Sequence, residues 1–304
     1  MKQLFSLFLI MVFFLLMLCF PTFTFLGASN GLLLWFQILL PTLLPFIIIS
    51  NLLVRTNFIL FISRLFRPLF QKLFSISESA CYIVFVGFLC GYPMGAKAIG
   101  DCIKNKIISK TEGQYLLSFC NNTSLMYIIS FLVMQNFQDS SLLFVTLCIM
   151  LFSPILCSFI FRRKYQKTEP FLQSKCIVNQ PLTFHFSLFD NSIMNGFESI
   201  TKIGGYMILF SILFSIGSHF PIKWFLPILE MTSGTSAILN WQLPFIYTYP
   251  LVLGLTSFGG FCAVAQTYSM LQGSGLSIKP YIIQKLITAM VTSLFAYIYV
   301  LISH

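Results

Sequence analysis

Four consecutive polar residues, Asn121, Asn122, Thr123 and Ser124, interrupt a run that is otherwise apolar from Tyr115 to Met134. Amides and hydroxyls of this kind donate and accept hydrogen bonds; they suit recognition of a polar solute or bonding between helices more than bond-making chemistry. Thirty residues earlier, Gly91-Tyr92-Pro93-Met94-Gly95 breaks a second apolar run. Glycine reaches backbone conformations closed to other residues, and proline withholds an N–H. The freed carbonyls and amides of such a turn can face a solute. Lys97 and Asp101 follow at a spacing of four, on one face of a helix, where they could pair; snorkelling of Lys97 to the interface is the competing reading. In the second half, Ser257, Gly259 and Gly260 sit in another broken run and Gln266 falls where Lys97 does in the first. Ahead of that run lies Glu230-Met231-Thr232-Ser233-Gly234, whose acid and hydroxyl could contact cargo or a cation.

None of these groups makes an enzyme. There is no G-x-x-x-x-G-K-[ST], no H-E-x-x-H and no G-x-S-x-G, and His185, His219 and His304 are isolated from any nucleophile. The nine cysteines form no C-x-x-C pair and have no histidine at ligand spacing, so they read as packing residues, and neither a metal site nor a cofactor is expected.

The elements that must hold these residues lie in a bilayer. Of 304 residues, 57% are hydrophobic and 9% charged, whereas a soluble domain carries charge on about a quarter. The apolar residues come in long runs, which predicts an all-α polytopic membrane protein. The net charge of +10 does not imply nucleic acid, because Lys and Arg flank the runs as the positive-inside bias requires. The runs are Leu4–Phe20, read as a signal anchor within residues 1–30; Leu32–Leu53, carrying Pro41 and Pro45; the broken run from Cys81 to about Ile103; Tyr115–Met134; Leu142–Phe161; Ile203–Phe220; Tyr249 to about Met270; and Tyr281–Ile302. Phe58–Phe74 holds Arg64, Arg67 and Lys72 among apolar residues and reads as an interfacial amphipathic helix. Tyr165–Phe186 is polar and reads as a loop.

Charge flanks the first broken run on both sides: Arg55, Arg64, Arg67 and Lys72 before it, Lys104, Lys106 and Lys110 after it. A single crossing should have such charge on one side only. A hairpin that enters and leaves on the cytoplasmic face satisfies the bias. A like hairpin at 249–270 then leaves only Lys223, Lys279 and Lys285 on the far side. The halves also superpose in order, with Gly91-Tyr92 on Gly260-Phe261 and Ala96 on Ala265. The expectation is two inverted-topology repeats, residues 31–134 and 191–304. Each is helix, re-entrant hairpin, helix, and residues 135–190 supply a linking helix and cytoplasmic loop. Inverted repeats with broken segments are a recurrent secondary-transporter plan.

Gly87-Phe88-Leu89-Cys90-Gly91-Tyr92-Pro93-Met94-Gly95-Ala96-Lys97, Ser109-Lys110-Thr111-Glu112-Gly113, Phe119-Cys120-Asn121-Asn122 and Leu229-Glu230-Met231-Thr232-Ser233-Gly234 together resemble the sporulation integral membrane protein YlbJ family. That family is grouped with proteins carrying nucleoside recognition (Gate) domains. The resemblance covers nearly the whole chain. It implies paired, oppositely oriented Gate units in a bacterial cell membrane and a role in the spore cortex, but no cargo. The broken runs and the repeat add the expectation that the chain moves a small polar solute, nucleoside-like or other. A non-transporting scaffold for cortex assembly and a metal-ion permease are the competing functions. The expected partners are the bilayer, the solute, and either a second copy of the chain or other sporulation membrane proteins.

Overall fold

A computed structural model describes residues 2–55, 58–165 and 186–303. The side chains of Lys2, Arg55 and Arg64, and nearly all of the expected loop at 165–186 with Cys176, lie outside the described residues. All regular structure among those described is helical. Pro21–Leu53, Leu142–Tyr165, Phe186–Gly217, Phe245–Met270 and Ile278–Ser303 are each long and apolar enough to cross a bilayer. The chain is a multi-spanning membrane protein.

Helix α1 (Lys2–Cys19) ends two residues before Pro21, which opens α2 (Pro21–Leu34) at a position where its missing N–H costs nothing. A π-helical turn, Trp35–Leu39, joins α2 to α3 (Leu40–Arg55). The disturbance expected from Pro41 and Pro45 thus takes the form of one widened turn just before them. Gly27 and Gly31 press α2 against α9 (Phe186–Gly217): a methyl on either would lie within 3 Å of the α9 backbone. Small residues four apart allow this close approach of membrane helices. The Trp35 indole seals the joint by donating to the Ile200 carbonyl (2.9 Å). Helix α9 begins well before the apolar run expected at Ile203, because its first turns are built from polar residues around Asp190, Asn195 and Glu198.

Helix α4 (Phe58–Phe74) meets α5 (Glu78–Cys90) at 90°, so if one follows the membrane normal the other lies along the surface. Arg67 pairs with Glu78 across the corner (3.0 Å). Ser77 caps α5, and its N–H and hydroxyl donate to the buried carboxylate of Glu112 (2.6 and 3.1 Å). Glu112 lies in the first turn of α7 (Lys110–Cys120), which Ser109 caps. The starts of α5 and α7 therefore stand side by side. Between them α6 (Met94–Lys104) runs back along α5 from a turn at Gly91–Pro93. The run at 81–103 folds on itself, with both outer ends at one end of the molecule.

The α7 helix stops at Cys120. Residues 121–124 are not helical, and the chain resumes as a π-helical segment, Tyr127–Phe137. Helix α8 (Leu142–Tyr165) returns. After α9, residues 218–225 are exposed turns; Leu226–Ile228 then dip inward to buried Glu230, from which α10 (Met231–Asn240) climbs back out. Trp224 and Trp241 pack together at the mouth of this loop, their rings tilted by 54° (4.5 Å between centroids). Helix α11 (Phe245–Phe258) packs on α10, α12 (Gly260–Met270) follows at once, and α13 (Ile278–Ser303) closes the chain.

The hairpin expected at 249–270 is absent. Helices α11 and α12 do not pack along each other, and Phe245–Met270 forms one span-length stretch. Gly259 takes the left-handed conformation (φ 85°, ψ −5°) and caps α11, but α12 starts on the next residue, leaving no loop in which to reverse. The segment that leaves and returns to one surface in this half is instead 218–241.

The two ends of the molecule differ. Gln114 and Ser277 exchange two hydrogen bonds, each 3.0 Å, placing the starts of α7 and α13 together. Lys104 and Lys110 lie beside Gly273 and Gly275 at that end, and Lys279 begins α13 there. At the other end Phe137 packs on Phe245, and Phe20 on His219. Lys279 thus shares the basic end with Lys104, contrary to its expected side, and Lys285 belongs to neither surface: it is 1% exposed.

Candidate functional site

Four interruptions meet in the interior: the turn Gly91–Pro93, the break 121–124, the inward turn at Leu229-Glu230, and Gly259. Glycines make the meeting close. Gly87 and Gly95, on either arm of the first turn, both lie against the Cys120 carbonyl, where a methyl would come within 1.9 and 2.4 Å. Gly91 (φ 73°) rests on the Ser124 amide, and the Tyr92 N–H donates to the Asn122 carbonyl (2.6 Å). One carbonyl freed at the break, that of Asn122, is thereby satisfied by the turn, as buried backbone requires.

At this point lies a cavity of about 30 Å3, lined by Tyr92 from the first turn, Thr123, Ser124 and Tyr127 from the break, Glu230, Met231 and Thr232 from the inward loop, and Gly259, Cys262, Ala263 and Gln266 from α12 and its cap. Leu39 and Leu43 of the α2–α3 stretch, with Ile203 and Met207 of α9, complete its wall. It has room for a water molecule or a small dehydrated ion, and a larger solute requires these elements to part.

The Tyr92 hydroxyl ties three elements together, meeting Thr123 Oγ1 (2.7 Å) and donating to the Thr256 carbonyl (2.6 Å). A methyl on Gly259 would lie 2.6 Å from that hydroxyl, so only glycine allows α12 to sit there. Glu230 is 3% exposed, and its two oxygens accept from the Thr232 and Ser233 amides (2.8 and 2.7 Å). Its charge is held by the start of α10, where the helix dipole favours an anion. Behind the Tyr92 ring, Lys285 Nζ lies 5.5 Å from the ring centroid and donates to Asn122 Oδ1 (3.1 Å). Among the described residues neither Glu230 nor Lys285 forms an ion pair.

The other expected site residues divide by place. Asn121 does not line the cavity; it braces the break, accepting from the Ala96 amide (3.2 Å) and donating to Thr267 and Tyr281 hydroxyls (2.8 Å each). Ser257 accepts from Thr292 (3.1 Å), and Gly260 (φ 75°) brings α12 against the Leu229 carbonyl, which accepts from Cys262 N–H (2.9 Å). Pro93 and Gly95 shape the turn. Lys97 and Asp101 stand apart, in a second cavity of about 450 Å3 at the basic end, together with Asn195, Glu198 and Lys202. There Lys97 donates to Ser199 (2.7 Å). Thr123, expected as part of the polar segment 121–124, lines the cavity; Tyr127, Cys262 and Lys285 were not expected. Lys285 carried the one available signal, a lysine several residues inside an apolar run. Among the described residues no three His, Cys, Asp or Glu side chains cluster as a metal site would.

The chain is similar to the sporulation integral membrane protein YlbJ of Bacillus subtilis (strain 168), with 22% identity over 314 aligned positions, covering 90% of this chain and 77% of that protein. No family model matches the chain, and no solved structure matches it.

Proposed function

We propose that the chain is a permease that moves a small polar solute across a membrane of a sporulating bacterial cell, and that the central cavity is its solute site in a closed state. The observation that carries this is the convergence of four helix interruptions on one cavity, where hydroxyls and an amide face a buried carboxylate that has no ion-pair partner among the described residues. Backbone irregularity at membrane depth survives where it lines a cavity, and broken segments in both halves mark binding sites in secondary transporters. A scaffold has no use for a buried charge of this kind. The likeness to a sporulation integral membrane protein supports the setting, and with it we place a contribution to the spore cortex.

The inverted repeat enters this proposal with a changed register. The first unit is the fold-back α5–α6, the broken pair α7 and Tyr127–Phe137, then α8. The second is the inward loop 218–241, the broken pair α11–α12, then α13. The first fold-back starts from the basic end and the second from the opposite end. The positive-inside bias makes the basic end cytoplasmic. The second cavity, around Lys97, is then the vestibule on that side; α9 and α12 line both cavities.

The test is complementation of a deletion strain with Glu230→Gln, Thr123→Val and Gln266→Ala, alone and together. Loss of sporulation at normal protein level and localisation supports the site. Full sporulation by the triple variant refutes it.

A further inference from the structure

We infer that Lys285 is a tethered cation: its ammonium fills a monovalent-cation site at the broken end of α7, and protonation of that amine does there what a bound sodium or potassium ion would do. The meaning for coupling rests on the transport reading above, whereas the site itself does not.

Three features of the surroundings favour a cation independently of one another. The α7 helix ends at Cys120, and the last carbonyls of a helix gather partial negative charge. Asn122, in the unwound stretch that follows, aims its side-chain oxygen at Nζ (3.1 Å). The face of the Tyr92 ring lies 5.5 Å away on the turn that plugs the break, an arrangement that attracts cations. Unwound oxygens and half-helix C-termini are the groups that coordinate sodium or protons in transporters with discontinuous helices.

No acid explains the lysine. Among the described residues Lys285 forms no ion pair, so the neutral dipoles and the ring must hold the charge. A leucine or methionine would fill the same space without that cost. Titratable and charged groups stand on every element around α13: Lys279 and Lys110 lie at the basic end, and Tyr297 and Tyr299 near the far end of α13. The turn offers Tyr92. Its own helix offers Tyr281, which accepts from Asn121. From α8 come Cys157, Tyr165, which accepts from Gln284 (2.8 Å), and Arg162–Lys164 at the basic end. From α7 come Tyr115, Cys120 and Glu112, the last already holding Ser77. From α12 Thr267 reaches Tyr281, and from α11 Ser257 accepts from Thr292, with Tyr249 near the far end. Glu230 lies beyond Tyr92, on the cavity.

The experiment measures thermal unfolding of the purified full-length chain in detergent by tryptophan fluorescence, in sodium, potassium or choline chloride at equal ionic strength. In Lys285→Ala the vacated site should take a free ion, so sodium or potassium should raise the midpoint over choline by an amount that saturates with concentration. The wild type should ignore cation identity at acid pH, where the amine holds its proton. As rising pH strips that proton, it should gain the same cation dependence. Lys285→Arg, which keeps its charge, should ignore cation identity throughout. A folded Lys285→Ala variant indifferent to cations overturns the proposal. If that variant does not fold, a wild type equally insensitive to sodium at acid and alkaline pH overturns it. The readout needs no solute, so a failed transport assay leaves this result standing, and the reverse also holds.

Discussion

Gly91 is the position where a single methyl should do most harm for a reason visible in the backbone. Its φ of 73° and ψ of −168° lie in a region open essentially to glycine alone, and forcing another residue there costs about 1–3 kcal/mol. The added carbon would also lie 2.4 Å from the Ser124 nitrogen and 2.8 Å from its Cα. Those atoms are main chain at the break and cannot swing away, so overpacking adds about 1–3 kcal/mol. Gly91→Ala should therefore destabilise the fold by about 2–6 kcal/mol. Gly205→Ala is the control: it lies inside α9, and no atom lies within 4 Å of the new carbon. There alanine should stabilise by about 0.5–1 kcal/mol, through helix propensity alone. Equilibrium unfolding by titrating SDS into mixed micelles measures both. The turn would not be the tight plug described if Gly91→Ala fell within about 0.5 kcal/mol of wild type, the range of an indifferent surface change, or if both variants lost stability equally.

Tyr92→Phe removes the hydroxyl that joins Thr123 to the Thr256 carbonyl; Thr123 lies 2.7 Å from that carbonyl and is then free to donate to it, so the same titration should show a loss of only about 0.6–1.7 kcal/mol. Asn121→Ala strands the Ala96 amide and takes a donor from the Thr267 and Tyr281 hydroxyls, which keep only each other; it should cost more than Tyr92→Phe, since a buried group left unpaired costs about 1–3 kcal/mol. Glu230→Ala should lose the α10 cap, about 0.5–2 kcal/mol, while Glu230→Gln keeps an acceptor and most of the stability; complementation should fail for both if the charge serves the solute. A chain with Cys90, Cys120 and Cys262 all changed to Ala should still support sporulation, and failure with normal expression would revive a thiol-using metal permease.

The first turn was legible because three signals agreed: glycine and proline at the break, apolar arms of helical length, and basic residues on both flanks. Its counterpart was not, because 218–230 has no apolar arm of helical length. Pro221, Lys223 and Trp224 make it look like an outside loop, and it reaches the interior only through three residues, Leu226–Ile228, and the cap at Glu230. Gly259-Gly260 then took the role of a turn by its composition. Composition marks where a helix breaks but not whether the chain reverses; reversal needs residues between the helices, and here there are none. The same limit misplaced the two lysines of α13. Lys279 and Lys285 are both near the start of an apolar run, and along the sequence both look like flanks. Their depths are decided across helices, by Gln114 meeting Ser277 for one and by Asn122 and Tyr92 closing over the other. A lysine near the edge of an apolar run therefore reads as a surface anchor until its neighbours in space are known, and in this chain that ambiguity hid the buried cation.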